Sequence, residues 1–283
     1  MNIQELAEPR NDLSGGPPWG IDDDSLLEYA RRTGSTPGQA QREALDNGIL
    51  PLRYEKNLAS LDFREQVLLS KSRVLICGCG GLGGVLIHLL ARAGVGFMRL
   101  VDGDVFAVSN FNRQWFCETG QIGRPKAPAT RSRLSAINPF VEVEAFQAHL
   151  DEGNGSGFLA GMDLALDALD NLPGRFILGE AACRAGIPYI HAAVAGWWGQ
   201  ISTFPPGFPG DLGLIYGRTR DRNAREESLG VLGPAVSCIA SLQSMEALRL
   251  LAGRSPAYAG KLLYLDGETG HVEIVPLRGP TAR

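Results

Sequence analysis

From Leu52 onward the chain alternates short apolar runs with longer segments whose apolar residues recur at helical spacing. The run SRVLICGCGG (72–81) reads as a buried strand entering a glycine-rich turn, and LGGVLIHLLARAG (82–94) as the helix after it. FMRLVDGD (97–104) predicts a second strand ending in acid, PKAPATRSRLSAI (125–137) a helix, and VEVEAFQA (141–148) a strand with alternating faces. MDLALDALDN (162–171) predicts another buried strand, RFILGEAACRAG (175–186) a helix and IPYIHAAVA (187–195) a strand. Strands alternating with helices of this length imply an α/β fold of Rossmann-like type, a mainly parallel sheet with helices on both faces. The rhythm then changes. WWGQISTF (197–204) predicts a strand reached without an intervening helix, followed by a Pro/Gly-rich and then charged stretch from Pro205 to about Leu229. A helix over VSCIASLQSMEALRLLAG (236–253) and strands over KLLYLDGE (261–268) and HVEIVPL (271–277) close the fold, the last strands extending the sheet with antiparallel edges.

Residues 1–50 differ in character. NDLSGGPPWG (11–20) reads as flexible, while DDDSLLEYARR (22–32) and TPGQAQREALDNG (36–48) predict two short helices, the second stopped by Gly48. The chain is therefore expected to divide into a partly helical amino-terminal extension over 1–50, covering a surface, and one large domain over 51–283.

Composition narrows the function classes. A net charge of −4 argues against nucleic acid as the main partner, because phosphate backbones are bound by a surplus of Lys and Arg. No apolar run reaches membrane-spanning length, and the amino terminus MNIQELAEPRND lacks a basic region leading into an apolar one. The expectation is a soluble, cytoplasmic protein with no membrane partner and no secretion signal. Cys77, Cys79, Cys117, Cys183 and Cys238 include no C-x-x-C pair, and His88, His149, His191 and His271 are scattered. Neither a disulfide framework nor a structural zinc site is expected.

Candidate chemistry begins at Gly78-Cys79-Gly80-Gly81-Leu82-Gly83, which fits G-x-G-x-x-G between a predicted strand and a predicted helix. Glycines allow the tight turn and bring backbone N–H groups to a phosphate at the positive end of the helix. Asp102 lies nineteen residues beyond Gly83, at the end of the next strand, where an acid can bind ribose hydroxyls. Taken alone, these features describe a nucleotide with a ribose and favour an NAD-dependent enzyme. The segment Ser109-Asn110-Phe111-Asn112-Arg113-Gln114 and Lys126 shift the balance. A triphosphate carries far more charge than a dinucleotide bridge, and Arg113 and Lys126 can supply fixed cations around its β- and γ-phosphates. Asp170, at the C-terminal end of a predicted strand, is expected to face the same crevice and to hold Mg²⁺ through water.

With these pieces together the chain resembles the ThiF/MoeB/HesA adenylyltransferase family, relatives of the ubiquitin-activating enzymes. The matching motifs are RYEKN (53–57), GCGGLGG (78–84), LVDGD (100–104), SNFNRQ (109–114), GRPKA (123–127), NP (138–139), LDALDN (166–171) and GVLGP with SLQSMEALRLLAG (within 230–253). The resemblance runs from about Leu52 to about Leu277. It implies that Gly78, Gly80, Gly81 and Gly83 form the phosphate turn, that Asp102 binds the ribose, and that Asp104 belongs to the same nucleotide site. Asn110, Arg113, Gln114 and Lys126 would address the triphosphate of ATP, and Asp170 would organise Mg²⁺. The implied reaction is attack on the α-phosphate by the C-terminal glycine carboxylate of a ubiquitin-like sulfur carrier of ThiS or MoaD type, in thiamine or molybdenum-cofactor synthesis. An acyl-adenylate and pyrophosphate result. The resemblance also implies a homodimer in which Lys56, standing where the family has arginine, reaches the ATP of the other subunit, with Arg53 able to share the task. Other readings are adenylation of another carboxylate (a peptide C-terminus or a tRNA-bound threonylcarbamoyl group), a nucleotide-binding scaffold without catalysis, and the NAD-dependent oxidoreductase. The acidic balance disfavours the tRNA version, and the charged site residues disfavour the last two.

The chain departs from that family in places. Its sulfur-carrier activators commonly hold zinc with two C-x-x-C pairs, whereas FPPGFPGDLGLIYG (204–217) and HVEIVPLRGPTAR (271–283) carry neither. NAREESLG (223–230) has no cysteine for thioester or persulfide chemistry, so adenylation alone is expected. Plainer roles are expected elsewhere. Cys77 and Cys79 read as small packing residues, Cys183 and Cys238 as core residues of amphipathic helices, and His191 as a hydrogen-bonded core histidine rather than a base. Strand alternation sends Trp197 and Trp198 to opposite faces, one into sheet packing and one toward a docking face for the carrier. RTRDRNAREE (218–227) reads equally as a solvated loop or as a cover for the carrier's glycine tail.

Overall fold

In the computed structural model, which describes residues 2–10, 16–208, 210–217 and 229–277, the amino-terminal segment is more structured than its composition suggests. Strands β1 (Glu8–Pro9), β2 (Trp19–Ile21) and β3 (Ile49–Pro51) form a small sheet that the sequence does not announce, because runs this short carry no readable alternation. Helices α1 (Asp23–Thr33) and α2 (Pro37–Asp46) form where expected. Asp22 and Thr36 accept from the backbone N–H groups of Ser25 and Gln39, and Gly34 and Gly48 come after the helices at φ +72°.

This segment shares its core with the main body of the chain. Ile3, Ile21, Leu26, Tyr29, Ala40, Ala44 and Ile49 close around Phe140, which lies between α5 and β6 of that body. The buried Tyr54 hydroxyl donates to Gln41 Oε1 (2.9 Å) and accepts from Asn138 Nδ2 (2.8 Å). Arg53 pairs with Asp23 at 2.6 Å and stacks over Phe140. Arg42 reaches Glu142 at 2.8 Å.

The main sheet uses β4 (Arg73–Cys77), β5 (Phe97–Val101), β6 (Glu142–Phe146), β7 (Leu164–Asp167), β8 (Tyr189–Ala195), β9 (Trp198–Phe204), β10 (Lys261–Asp266) and β11 (His271–Pro276). Its order is β11-β10-β9-β8-β7-β4-β5-β6. The neighbours from β8 to β6 pair in parallel and those from β8 to β11 antiparallel, the arrangement expected from the change of rhythm after Ala195. The helices packed on it are α3 (Phe63–Lys71), α4 (Gly81–Ala93), α5 (Lys126–Leu134), the single turn α6 (Gly155–Leu159), α7 (Leu172–Ala185), the single turn α8 (Gly213–Tyr216) and α9 (Gly233–Leu251). Strand alternation decides the layers. Val74 and Ile76 of β4 enter a core with Leu86, Leu90 and Ala247, while Leu75 and Cys77 enter another with Phe176, Leu178 and Ala182. Because β4 lies between β5 and β7, successive connections leave it in opposite directions, and a crevice opens beyond the C-terminal ends of β4 and β7.

Two cysteines correct the sequence reading. Cys183 and Cys238 are exposed, because α7 buries Leu178, Ala181 and Ala182 and α9 buries Val236, Ile239 and Ala240, and neither thiol falls on those stripes. Cys77 and Cys79 are buried as expected, and burial pushes both thiols up. Among the described residues no helix is long and apolar enough to cross a membrane. RTRDRNAREE (218–227), and residues 11–15 of the stretch read as flexible, lie outside the described residues.

Replacing Phe140 by alanine empties the shared core and is expected to cost about 3–5 kcal/mol. Denaturant unfolding measures the loss, and hydrogen exchange should rise more in α1 and α2 than in α4. An unchanged midpoint would remove Phe140 as the tie between the two parts.

Candidate functional site

The crevice is made by close contact between backbones. Gly78 leaves β4 at φ +99°, and a Cβ there would lie 2.3 Å from the carbonyl oxygen of Ala168. A Cβ on Gly83 would lie 1.8 Å from the carbonyl oxygen of Gly78. Only glycine lets α4 start this close to β4 and β7. Gly80 caps the helix without a side chain, leaving the first-turn N–H groups to face the crevice.

A cavity of about 520 Å³ fills it, lined by Gly78, Gly80, Gly81, Asp102, Asp104, Arg113, Gln114, Lys126 and Asp170 among others. Most residues singled out in the sequence therefore meet in one place. Asp102 accepts from the N–H of Cys79 at 2.6 Å and from the N–H of Asp104 at 2.8 Å, tying the end of β5 to the glycine turn. Lys126, buried at the start of α5, pairs with Asp104 at 2.9 Å. Arg113 Nη1 donates to Ser109 O and Asn112 Oδ1, which aim the guanidinium along the cavity wall. Gln114 is buried, and its Oε1 has no partner among the described residues, leaving an acceptor for a bound donor. Asp170 stands three residues past β7 and accepts from Asn171 Nδ2 at 3.2 Å.

Three of the expected residues stand outside the lining. Asn110 is buried, and its Oδ1 accepts from Ala107 N–H at 2.9 Å, so it shapes the loop that carries Arg113 instead of facing the cavity. Gly83 lies behind the glycine turn, in contact with Gly78. Lys56, in the helical turn Leu52–Asn57, does not line the cavity of its own chain. Its neighbour Arg53 is committed to Asp23. Conversely, the cavity contains residues the motifs did not indicate. His149 packs flat against Gly103, where a Cβ would come within 2.5 Å of the ring. Arg175, buried in the first turn of α7, donates to Leu169 O at 2.6 Å. Trp198 and Tyr216 line the far end. Arg175 had a readable signal, since the first turn of a helix after a parallel strand borders the crevice. Trp198 stacks on Tyr264 and Trp197 is exposed, so the pair does split.

No group of three or more His, Cys, Asp or Glu is placed to hold a metal among the described residues. Mg²⁺ keeps several waters and takes one or two carboxylates plus substrate phosphates, a donor set that Asp170 on this cavity would fit.

Burial raises the pKa of Asp102, more than the hydrogen bonds from Cys79 and Asp104 and the charge of Lys126 lower it. An ionised carboxylate accepts from hydroxyls, the role expected of Asp102 toward a ribose. Affinity for a non-hydrolysable ATP analogue should therefore weaken on acidification before the pH reaches the usual aspartate range near about 4. Calorimetric titration across mildly acidic pH checks this, and Asp102→Asn should remove the dependence. If the variant keeps the wild-type profile, Asp102 is not the titrating group.

The whole arrangement can be set beside known proteins. Residues 54–282 match the ThiF family. Molybdopterin-synthase adenylyltransferase from Escherichia coli is 36% identical over 227 residues, covering 77% of this chain and 89% of the relative. Sulfur carrier protein adenylyltransferase from Thermus thermophilus is 35% identical over 223 residues, covering 76% and 82%. Adenylyltransferase and sulfurtransferase MOCS3 from Mus musculus is 34% identical over 86% of this chain, which spans only about half (53%) of that relative's length. Among solved structures, E. coli MccB with MccA-N7isoASN has the same fold, with a TM-score of 0.70 at 19% identity over 81% of this chain and 74% of that one. The resemblance read from the motifs thus extends along nearly the whole chain, and the chain belongs to the ThiF family.

Proposed function

We propose that this chain is an ATP-dependent adenylyltransferase that activates the C-terminal glycine carboxylate of a ubiquitin-like sulfur carrier, in thiamine or molybdenum-cofactor synthesis. The observation that carries the proposal is one cavity with two unlike ends. On the β5 side the lining holds Asp102, Asp104 and Lys126 next to the glycine turn after β4; on the β8 side it holds Ala193 and Ala195 together with Trp198 and Tyr216. Asp170 follows β7, which lies between β4 and β8, and Arg113 and Arg175 belong to the same lining. Such a cavity suits a nucleotide at the first end, an extended glycine tail at the second and phosphates between them. The adenylyltransferase names of its relatives support the same reading.

In the reaction a carboxylate oxygen of the tail attacks the α-phosphorus. An O–P bond forms as the bond to the bridging oxygen breaks, and its electron pair leaves with pyrophosphate. No side-chain nucleophile is required. The protein aligns the two reactants and stabilises charge that moves onto the leaving group. The α4 N-terminus holds phosphate, and Arg113 and Lys126 face the leaving oxygens, with Lys126 drawn from Asp104 by the larger charge of the triphosphate. Mg²⁺ held through Asp170 would neutralise part of that charge.

This reading takes the enzyme as a cytoplasmic homodimer without zinc, with residues 1–50 as an extension on a catalytic domain over 51–283. Lys56, outside its own cavity, is then offered to the ATP of the other subunit. A fully active monomer in light scattering at micromolar concentration would end that role for Lys56.

ATP–pyrophosphate exchange with a carrier ending in Gly-Gly is the direct test. Exchange should require the last glycine, and Arg113→Ala should lower its rate about 100-fold or more. Nucleotide binding without carrier-supported exchange would move the substrate to another carboxylate.

A further inference from the structure

Behind the far end of the cavity lies a chain of polar groups that the adenylation reaction does not use. Asp167 at the end of β7 and His191 in the middle of β8 are both fully buried. His191 Nδ1 and the Tyr189 hydroxyl each lie 2.7 Å from Asp167 Oδ2, and Leu169 N–H donates to Oδ1 at 3.0 Å. On the other side of the imidazole, the Tyr216 hydroxyl stands 3.0 Å from His191 Nε2, with the two rings edge to face. Gln200 Nε2 donates to that hydroxyl at 2.7 Å and Arg175 Nη1 at 3.3 Å.

A proton count gives these bonds a direction. A hydroxyl has one proton to give and two lone pairs to offer. Gln200 and Arg175 take the lone pairs, and Gln200 Nε2 also lies 3.4 Å from His191 Nε2. That ring nitrogen is therefore the acceptor, facing the proton-bearing Tyr216 hydroxyl at 3.0 Å and the amide beyond it. His191 is then neutral, with its own proton on Nδ1 and donated to the Asp167 carboxylate. The surroundings agree. Burial holds the His191 pKa down against the pull of Asp167. Burial alone would raise Asp167, but the charge of Arg175 and the bonds from His191 and Tyr189 hold it below the usual range. Every bond the Tyr216 hydroxyl can make is committed within the protein, so Tyr216 meets a substrate as a wall and not as a hydrogen-bonding group.

Packing supports that wall as well, since Ile215 and Tyr216 lie partly buried against the core around Leu212, Phe204 and Tyr189. Tyr216 ends the single turn α8, none of whose residues is buried. Between Pro205 and Gly217, Leu212 is the only buried side chain among the described residues. An isolated turn does not persist without outside contacts. Yet Tyr216 lines the cavity together with Ala193, Ala195 and Trp198.

We infer that His191 is a positioning residue that, through Tyr216, holds α8 as the far wall of the trough in which the tail of the acyl substrate lies. It acts on the carrier and not on ATP. The assignment rests on reading that trough as the tail channel.

Two variants of the full chain isolate the link. Tyr216→Phe keeps the ring and deletes the hydroxyl. His191→Asn keeps an N–H close to the Nδ1 position, facing Asp167, and deletes the Nε2 acceptor. In both, hydrogen exchange of the amides at 215–217, which donate to Leu212 O and Gly213 O, should accelerate about tenfold or more, with α4 unchanged. The carrier KM should rise about tenfold while kcat and the affinity for a non-hydrolysable ATP analogue stay within about twofold. The double variant should be no worse than either single one. Wild-type exchange rates at 215–217 in both variants would overturn the link between His191 and α8. Faster exchange there with an unchanged carrier KM, or with ATP affinity falling in parallel, would overturn the role in substrate positioning. Absence of carrier-dependent pyrophosphate exchange in the wild type would instead strike the proposed function, and the amide rates would still decide whether His191 holds α8.

Discussion

The site depends on the absence of two methyl groups. With Gly83 pressed on the carbonyl of Gly78, and Gly78 on the carbonyl of Ala168, α4 begins directly against the ends of β4 and β7. Even the smallest side chain at Gly83 would overlap the Gly78 oxygen, so α4 would have to move as a body. Gly83 is therefore essential to the cavity without lining it. Its effect is to place the N–H groups of the first turn, and Asp102 then locks the same turn from the neighbouring strand by accepting from Cys79.

Given that turn, the charges fall into place by loop connections and not by packing. β5 ends in Asp102; the loop beyond it carries Asp104 and Arg113 and leads to Lys126 at the head of α5. Each cation has a partner in the protein: Asp104 for Lys126, and Ser109 O with Asn112 Oδ1 for Arg113. These partners hold both side chains in position ahead of any ligand, the preorganisation on which the proposed reaction would draw. Lys126 is the informative case. It is buried while its partner Asp104 is half exposed, so the carboxylate can be rehydrated when a more highly charged group replaces it.

Much of this was legible because strand period and glycine spacing are local signals. The βα rhythm gave the layers, and G-x-G-x-x-G gave the turn. The acidic ends of the strands pointed to the crevice. What could not be read depends on which way a side chain turns or on contacts distant in sequence. Asn110 matches a motif but turns inward to Ala107, and no spacing rule tells a loop-forming asparagine from a ligand-facing one. Cys183 and Cys238 sit on helices with apolar content on more than one side, so the buried stripe was ambiguous by a residue. Tyr216 joins the cavity only because α8 folds back over β8, against residues about 25 positions away in sequence. The amino-terminal sheet escaped notice for the opposite reason: its strands are too short to show a pattern.

The amino-terminal segment also bears on the site, through the other end of α4. The last carbonyls of a helix lack partners within it. Here the carbonyl of Ala91 accepts from Asn138 Nδ2 at 2.7 Å, and that of Ala93 accepts from Gln66 Nε2 at 2.9 Å. Asn138 is in turn oriented by the Tyr54 hydroxyl, which is bound to Gln41 of α2. Gly94, the residue that ends α4, lets the ring of Tyr54 and the amide of Gln66 approach to where a Cβ would lie 2.7 Å away. The helix that presents its N-terminus to the cavity is thus gripped at its C-terminus by a network rooted in α2. Contact between glycines sets where α4 begins, and this buried amide network sets where it points. A loosened amino-terminal segment would reach the cavity through the tilt of α4, without lining it.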